Sequence, residues 1–148
     1  MKKITGLCSY HQAQVARSPA HAAVYWQRAM VLAADAWQQQ QWPQAHQAFT
    51  CAFDIASLWV TDVGRGSRSS FGERELVTAT QQWMSMAQRN NQAHAAKTAL
   101  WFTYRYLCRQ LCTPNTLARR AALKQYLQCV DEFSEHLGQI ADVTLPLQ

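Results

Sequence analysis

Between Tyr25 and Val60 two stretches of helical apolar spacing meet across Gln38-Gln39-Gln40-Gln41-Trp42-Pro43. A periodicity of about 3.6 residues on both sides of so short a polar break commits this part of the chain to an antiparallel pair of helices. The first helix of the pair offers Tyr25, Ala29, Leu32, Ala33, Ala36 and Trp37 on one face. The second offers Ala45, Phe49, Ala52, Ala56 and Val60, and turns Gln47, Thr50 and Asp54 away. Small side chains on one helix against aromatic ones on the other let the two axes approach and interdigitate.

The punctuation elsewhere repeats this pattern. Ser18-Pro19, Trp42-Pro43 and Thr113-Pro114 each open a stretch of helical spacing, where proline fits because its missing N–H would be unpaired anyway. The glycines (6, 64, 66, 72 and 138) fall at the edges of these stretches. The spacing predicts helices near 8–16, 20–40, 43–61, 71–89, 92–112 and 114–137, and no strand. Ser70 and Glu73 form a capping-box pattern at the head of the fourth. In the last helix Leu123, Leu127, Val130, Phe133 and Leu137 make the apolar stripe, and Gly138 is expected to end it. The expected fold is all-α, five to six helices in antiparallel hairpins or a bundle, as a single domain over 1–148 with a loop or hinge at 63–70 and an irregular tail at 139–148. A chain of 148 residues can bury roughly two-thirds of its unfolded surface without staples.

The hairpin resembles a tetratricopeptide repeat over about residues 30–56. Leu32 and Ala33 match the leucine-small pair of that family's first helix. Trp42 takes the aromatic position after the turn, and Ala45, Phe49 and Ala52 match the second helix. Gln40 stands at the turn glycine, Ala36 at the first-helix tyrosine, and the closing proline is absent. A faint echo of Ala45–Thr50 in Ala93–Thr98 lies 48 residues on, longer than that family's period of about 34. The resemblance implies a peptide-binding or scaffolding role in a groove between hairpins.

Charge is distributed unevenly. Ten basic residues lie between Val63 and Lys124 against only Glu73 and Glu75, a local +8 in a chain of net charge +5. Asp131, Glu132, Glu135 and Asp142 make the C-terminal part acidic. Such opposed segments can complement each other within one chain or between two copies, so a homodimer is one expectation. On the fifth helix Leu100, Tyr104, Leu107 and Leu111 form the expected core stripe, with Trp101 and Cys108 beside it. That leaves Phe102, Arg105, Tyr106 and Arg109 on the other side as the candidate partner-binding surface, with Arg65 and Arg68 in the Gly64–Ser70 loop as a secondary contact. Alternating guanidinium and aromatic groups suit an acidic peptide or protein, or single-stranded nucleic acid. Burial of Phe102 and Tyr106 under another helix is the competing reading.

Catalytic and cofactor chemistry find little support. Cys108 and Cys112 lie one helical turn apart, but a structural zinc site needs four ligands, and Cys8 and His11 would have to fold beside them. Glu132 and His136 lack the inward acids of a di-iron bundle. The Gly64-Arg65-Gly66-Ser67-Arg68-Ser69-Ser70 run offers anion contacts without the Gly-Lys-Ser/Thr ending of a nucleotide loop. No cofactor and no metal are therefore expected. Five cysteines, mostly within helical patterns, fit reduced thiols and a cytoplasmic setting. The apolar stretch between Lys3 and Cys8 is too short for a signal core, and no apolar run is long enough to span a bilayer. The reading that follows is a non-enzymatic adaptor or chaperone-like protein that holds a protein or peptide in a helical groove. The alternative is a regulator that binds nucleic acid through the basic middle.

Overall fold

The computed structural model describes residues 9–63, 71–89 and 93–141, with side chains placed at 10–61, 71–87 and 96–132. The described residues are helical almost throughout, with no strand: α1 (Ser9–Ala16), α2 (Pro19–Gln38), α3 (Trp42–Leu58), a π-helical turn (Trp59–Val63), α4 (Glu73–Arg89), α5 (Ala93–Leu111) and α6 (Leu117–Ala141). The all-α expectation is met. None of these helices is long and apolar enough to cross a membrane. The chain divides into two compact units, residues 1–79 and 80–148, with the boundary inside α4.

In the first unit α1 packs on α2, and α2 on α3. Ser18 caps α2, its Oγ accepting the His21 N–H at 3.2 Å, and Pro19 occupies the first helical position. The turn between α2 and α3 is a Schellman motif. The Gln41 N–H donates to the Ala36 carbonyl at 2.8 Å and the Gln40 N–H to that of Trp37 at 3.0 Å, with Gln40 at φ +60°. Trp37 and Trp42 then pack ring to ring at 4.8 Å across the turn, with His46 edge-on to Trp37 at 5.8 Å.

The interior of this hairpin is built from Ala29, Ala33, Ala36, Ala45, Phe49, Ala52 and Ala56, all buried. Two expectations are corrected here. Leu32 is 62% exposed, because the buried arc of α2 is centred on its alanines and Met30, which leaves Leu32 at the edge. Asp54 is buried at 7%, because α3 buries a second face through Ile55 and Leu58. A satellite cluster joins Val15, Ala22, Ile55, Leu58, Trp59 and Phe71. It is fixed by the Trp59 indole N–H donating to the Val15 carbonyl at 2.9 Å.

The head of α4 lies two residues later than expected. Gly72, at φ +138°, precedes the helix, and its N–H donates to Glu75 Oε1 at 2.9 Å. A Cβ on Gly72 would meet Val60 Cγ1 at 3.0 Å, so packing against the π-helical turn selects glycine here. Ser70 lies outside the described residues.

In the second unit α5 packs on α6. Leu100, Leu107, Leu123 and Val130 are fully buried, while Tyr104, Leu111 and Leu127 are half-buried. The hydroxyls of Thr80 and Thr103 pair at 2.9 Å within the interior. Pro114 does not open α6: it lies in the turn, and Thr116 caps the helix through its Oγ, which accepts the Arg119 N–H at 3.1 Å. The helix also runs through Gly138 to Ala141, since neighbouring backbone hydrogen bonds outweigh the roughly 1 kcal/mol helical cost of one glycine. Phe133 and Leu137 fall outside the described side chains.

Candidate interaction site

Two surfaces stand out, one in each unit. The first is an open groove of about 700 Å³ bounded by α1, α2 and α3. Its floor is apolar, from Ala29, Ala36, Ala48 and Ile55, with Leu32 along one edge. Its rim is amide-rich, from Gln39, Gln41, Gln44 and Gln47, and carries one cation and one anion of α2, Arg28 and Asp35. His11 of α1 closes one side, its ring edge-on to Tyr25 at 5.9 Å, and the Arg28 guanidinium lies over the Tyr25 ring at 5.8 Å. The geometry follows directly from the sequence. Alanines at the crossing bring α2 and α3 together, and the Schellman turn sends α3 back beside α2 so that exposed glutamines line the open side.

A large apolar surface also continues over the outer side of α2. Val24 is 49% exposed and Val31 50%, and with Ala23, Gln27, Arg28 and Leu32 they form a second, shallower depression. Valines half in water on a helix otherwise able to bury its apolar groups are the kind of patch that marks an interaction surface. The sequence reading assigned Leu32 to the core and did not single out Val24 or Val31. Their i, i+7 spacing opposite the alanine face was the available signal.

The second surface is on α5. Arg105 and Arg109 are exposed, and Phe102 and Tyr106 are half-buried, so the helix carries neither an open aromatic face nor a wholly covered one. The structure groups the two arginines with the thiols instead: Arg105, Cys108, Arg109 and Cys112 line a notch of about 150 Å³. The Arg105 guanidinium lies over the Trp101 ring at 5.5 Å, and Trp101 stacks on Tyr104 at 6.1 Å. Arg65 and Arg68 lie outside the described residues.

Other members of the basic middle have structural partners. Arg119 donates from Nε to Asn115 Oδ1 at 2.8 Å and from Nη2 to Gln110 Oε1 at 2.9 Å. Arg120 donates to the Leu111 carbonyl at 3.0 Å, and Asn115 Nδ2 to the Gln110 carbonyl at 2.7 Å. Arg120 and Asn115 thereby satisfy the last carbonyls of α5, an end that favours cations, while Arg119 ties the side chains of Asn115 and Gln110 together. Part of the +8 segment is thereby committed to holding the α5–α6 turn.

Burial pushes the Cys108 thiol up, with Asp131 and Cys112 adding to the effect and a hydrogen bond from Tyr104 opposing it. Burial likewise raises Tyr104, with Cys108 and Asp131 contributing, and it raises Cys51 together with Asp54. These two thiols therefore stay protonated at neutral pH, the reverse of an activated nucleophile. Among the described residues no group of three His, Cys, Asp or Glu side chains is placed to share a metal ion. In comparisons with known proteins, no family model, curated protein or solved structure matches the chain.

Proposed function

We propose that this chain is a non-enzymatic interaction module, an adaptor or chaperone-like protein that holds a segment of a protein partner in the groove of α1, α2 and α3. The observation that carries the reading is the groove's make-up: an apolar floor with an amide rim and one charge of each sign on the same side. An apolar floor rewards burial of two or three partner side chains, and the glutamines can pair with a partner's backbone or polar flanks. The tetratricopeptide-like hairpin points to the same use. The basic α5 notch is smaller, and two arginines near it in sequence are occupied in the turn.

Selection from a displayed peptide library tests this reading. Peptides with apolar anchors should enrich on the wild-type chain, with dissociation constants of about 1–100 μM, as short segments in open grooves give. Ala48→Trp, which fills the floor, should abolish that binding, while Arg105→Glu with Arg109→Glu should leave it intact. Enrichment of nothing, or peptides that still bind Ala48→Trp, would overturn it.

A second reading, nucleic-acid binding, draws on Arg105 over Trp101 with Arg109 exposed one turn on. It requires binding of single-stranded DNA or RNA at about 50 mM salt that weakens steeply as salt rises. The same Arg105→Glu and Arg109→Glu pair should then remove it.

A further inference from the structure

The exposed side of α2 has an internal symmetry. Val31 and Leu32 lie at its middle, with Arg28 three residues before Val31 and Asp35 three residues after Leu32. Val31 lies opposite the buried arc of Ala22, Ala29, Ala33 and Ala36, and Val24 continues its line, while exposed Arg28, Leu32 and Asp35 flank it on the side that borders the groove. Among the described residues neither Arg28 nor Asp35 has an ion-pair partner. A helix face with a cation and an anion equidistant from an apolar centre is complementary to its own copy turned end for end. At a rise of 1.5 Å per residue, Arg28 and Asp35 each lie about 5 Å along the axis from the midpoint. Two antiparallel copies centred there place each cation level with the other copy's anion.

We propose that the outer face of α2 is a self-association surface, on which two copies pack α2 against α2 antiparallel about a two-fold axis at Val31 and Leu32. Arg28 of each copy then pairs with Asp35 of the other. This is an isologous interface, in which one patch serves both subunits and closes after two. The apolar centre supplies the attraction and the two charge pairs set the direction, since a parallel arrangement would bring Arg28 against Arg28. The occupant is a second copy and not an unrelated helix because spacing and sign match the face's own reversal. One helix per subunit buries a small area, so the association is of the weak, reversible class.

This inference does not rest on the groove reading, although Arg28, Leu32 and Asp35 also border the groove. Val31 takes no part in the groove, and Ala48, which does, lies off the outer face of α2. Sedimentation velocity of the full chain from about 1 to 200 μM tests it, a range that covers micromolar dissociation constants. The wild type should pass from monomer to dimer across that range. Val31→Glu, which puts two carboxylates at the axis, should weaken association by about 100-fold or more, while Ala48→Trp should leave it unchanged. Arg28→Asp alone and Asp35→Arg alone should each weaken it by about tenfold. An equimolar mixture of these two single variants should dimerise again, and so should the chain carrying both substitutions, because each restores opposite charges at both ends. A wild type that stays monomeric at about 200 μM would overturn the proposal. So would charge variants that associate as strongly as the wild type, or a mixture and a double variant that do not recover. The charge arms decide the matter even if Val31→Glu perturbs folding.

Discussion

The two units of this chain place their apolar and polar groups in opposite ways. Around α2 and α3 the interior is made mostly of alanine, the larger Val24, Val31 and Leu32 stand partly in water, and glutamines line the rim of the groove. Around α5 and α6 Leu100, Leu107 and Leu123 are inside, a threonine pair is buried in the same unit, and Arg119 and Arg120 are bonded into the turn. A helix that packs through alanine brings its neighbour close but covers little apolar area, so its bulky residues stay partly in water. A turn held by guanidinium groups has correspondingly fewer free charges to offer. The difference explains why a search for function by charge leads to the second unit, while the geometry leads to the first.

The comparison is most exposed at Phe49, a large side chain fully buried with the alanines of α2 and α3. If that crossing depends on it, Phe49→Ala should cost about 3–5 kcal/mol in urea unfolding, because the alanine neighbours cannot collapse into the space. A loss below about 1 kcal/mol would mean that the hairpin is held elsewhere, and the contrast between the units would fail.

Two tryptophans of the first unit sharpen the point about polar groups in an apolar setting. Trp59 donates its indole N–H to the Val15 carbonyl, whereas the buried Trp26 N–H has no hydrogen-bond partner among the described residues. Trp59→Phe should cost about 1–3 kcal/mol, since it strands a buried carbonyl, while Trp26→Phe removes a donor that gains nothing and should be close to neutral. Equal losses from thermal melts of both variants would show that ring volume, not the indole bond, holds α1 in place.

How much of this was legible in the sequence depends on what kind of information each feature needs. Helix positions follow from local rules, so Ser18 with Pro19 and the break at Gln38–Pro43 were readable. The Gly72–Glu75 bond at the head of α4 was not, because it rests on Gly72 fitting against Val60, a contact 12 residues back in the chain. Leu32 was misplaced because alanines on every side of α2 leave the centre of its buried arc undetermined by periodicity. The roles of Arg119 and Arg120 escaped because composition counts their charges without showing that the Asn115 and Gln110 side chains and the Leu111 carbonyl lie within reach. Phe102, Arg105, Tyr106 and Arg109 were correctly placed on one helix, but whether that helix is bare depends on its neighbours.

In the second unit the corresponding test is Arg119→Ala, which removes bonds to Asn115 and Gln110 at the α5–α6 turn. It should cost about 1–2 kcal/mol by urea unfolding, less than Phe49→Ala because the site is partly hydrated and water can replace part of what is lost. A change within about 0.5 kcal/mol would return Arg119 to the pool of free surface charge and strengthen the nucleic-acid reading of the basic middle.

The smallest effect is also the one that runs toward greater stability. Gln40 adopts φ +60° so that the turn can close its two hydrogen bonds to Ala36 and Trp37, a conformation in which a side chain costs about 1 kcal/mol and glycine costs little. Gln40→Gly should therefore raise stability by about 0.5–1 kcal/mol, part of the gain being offset by the freer unfolded chain. A thermal melt of the variant should shift upward while the groove, whose glutamines at 39, 41, 44 and 47 are untouched, binds peptide as before. Were stability to fall instead, the Gln40 side chain would have to be contributing a contact of its own, and the glutamine run would belong to the fold as well as to the rim.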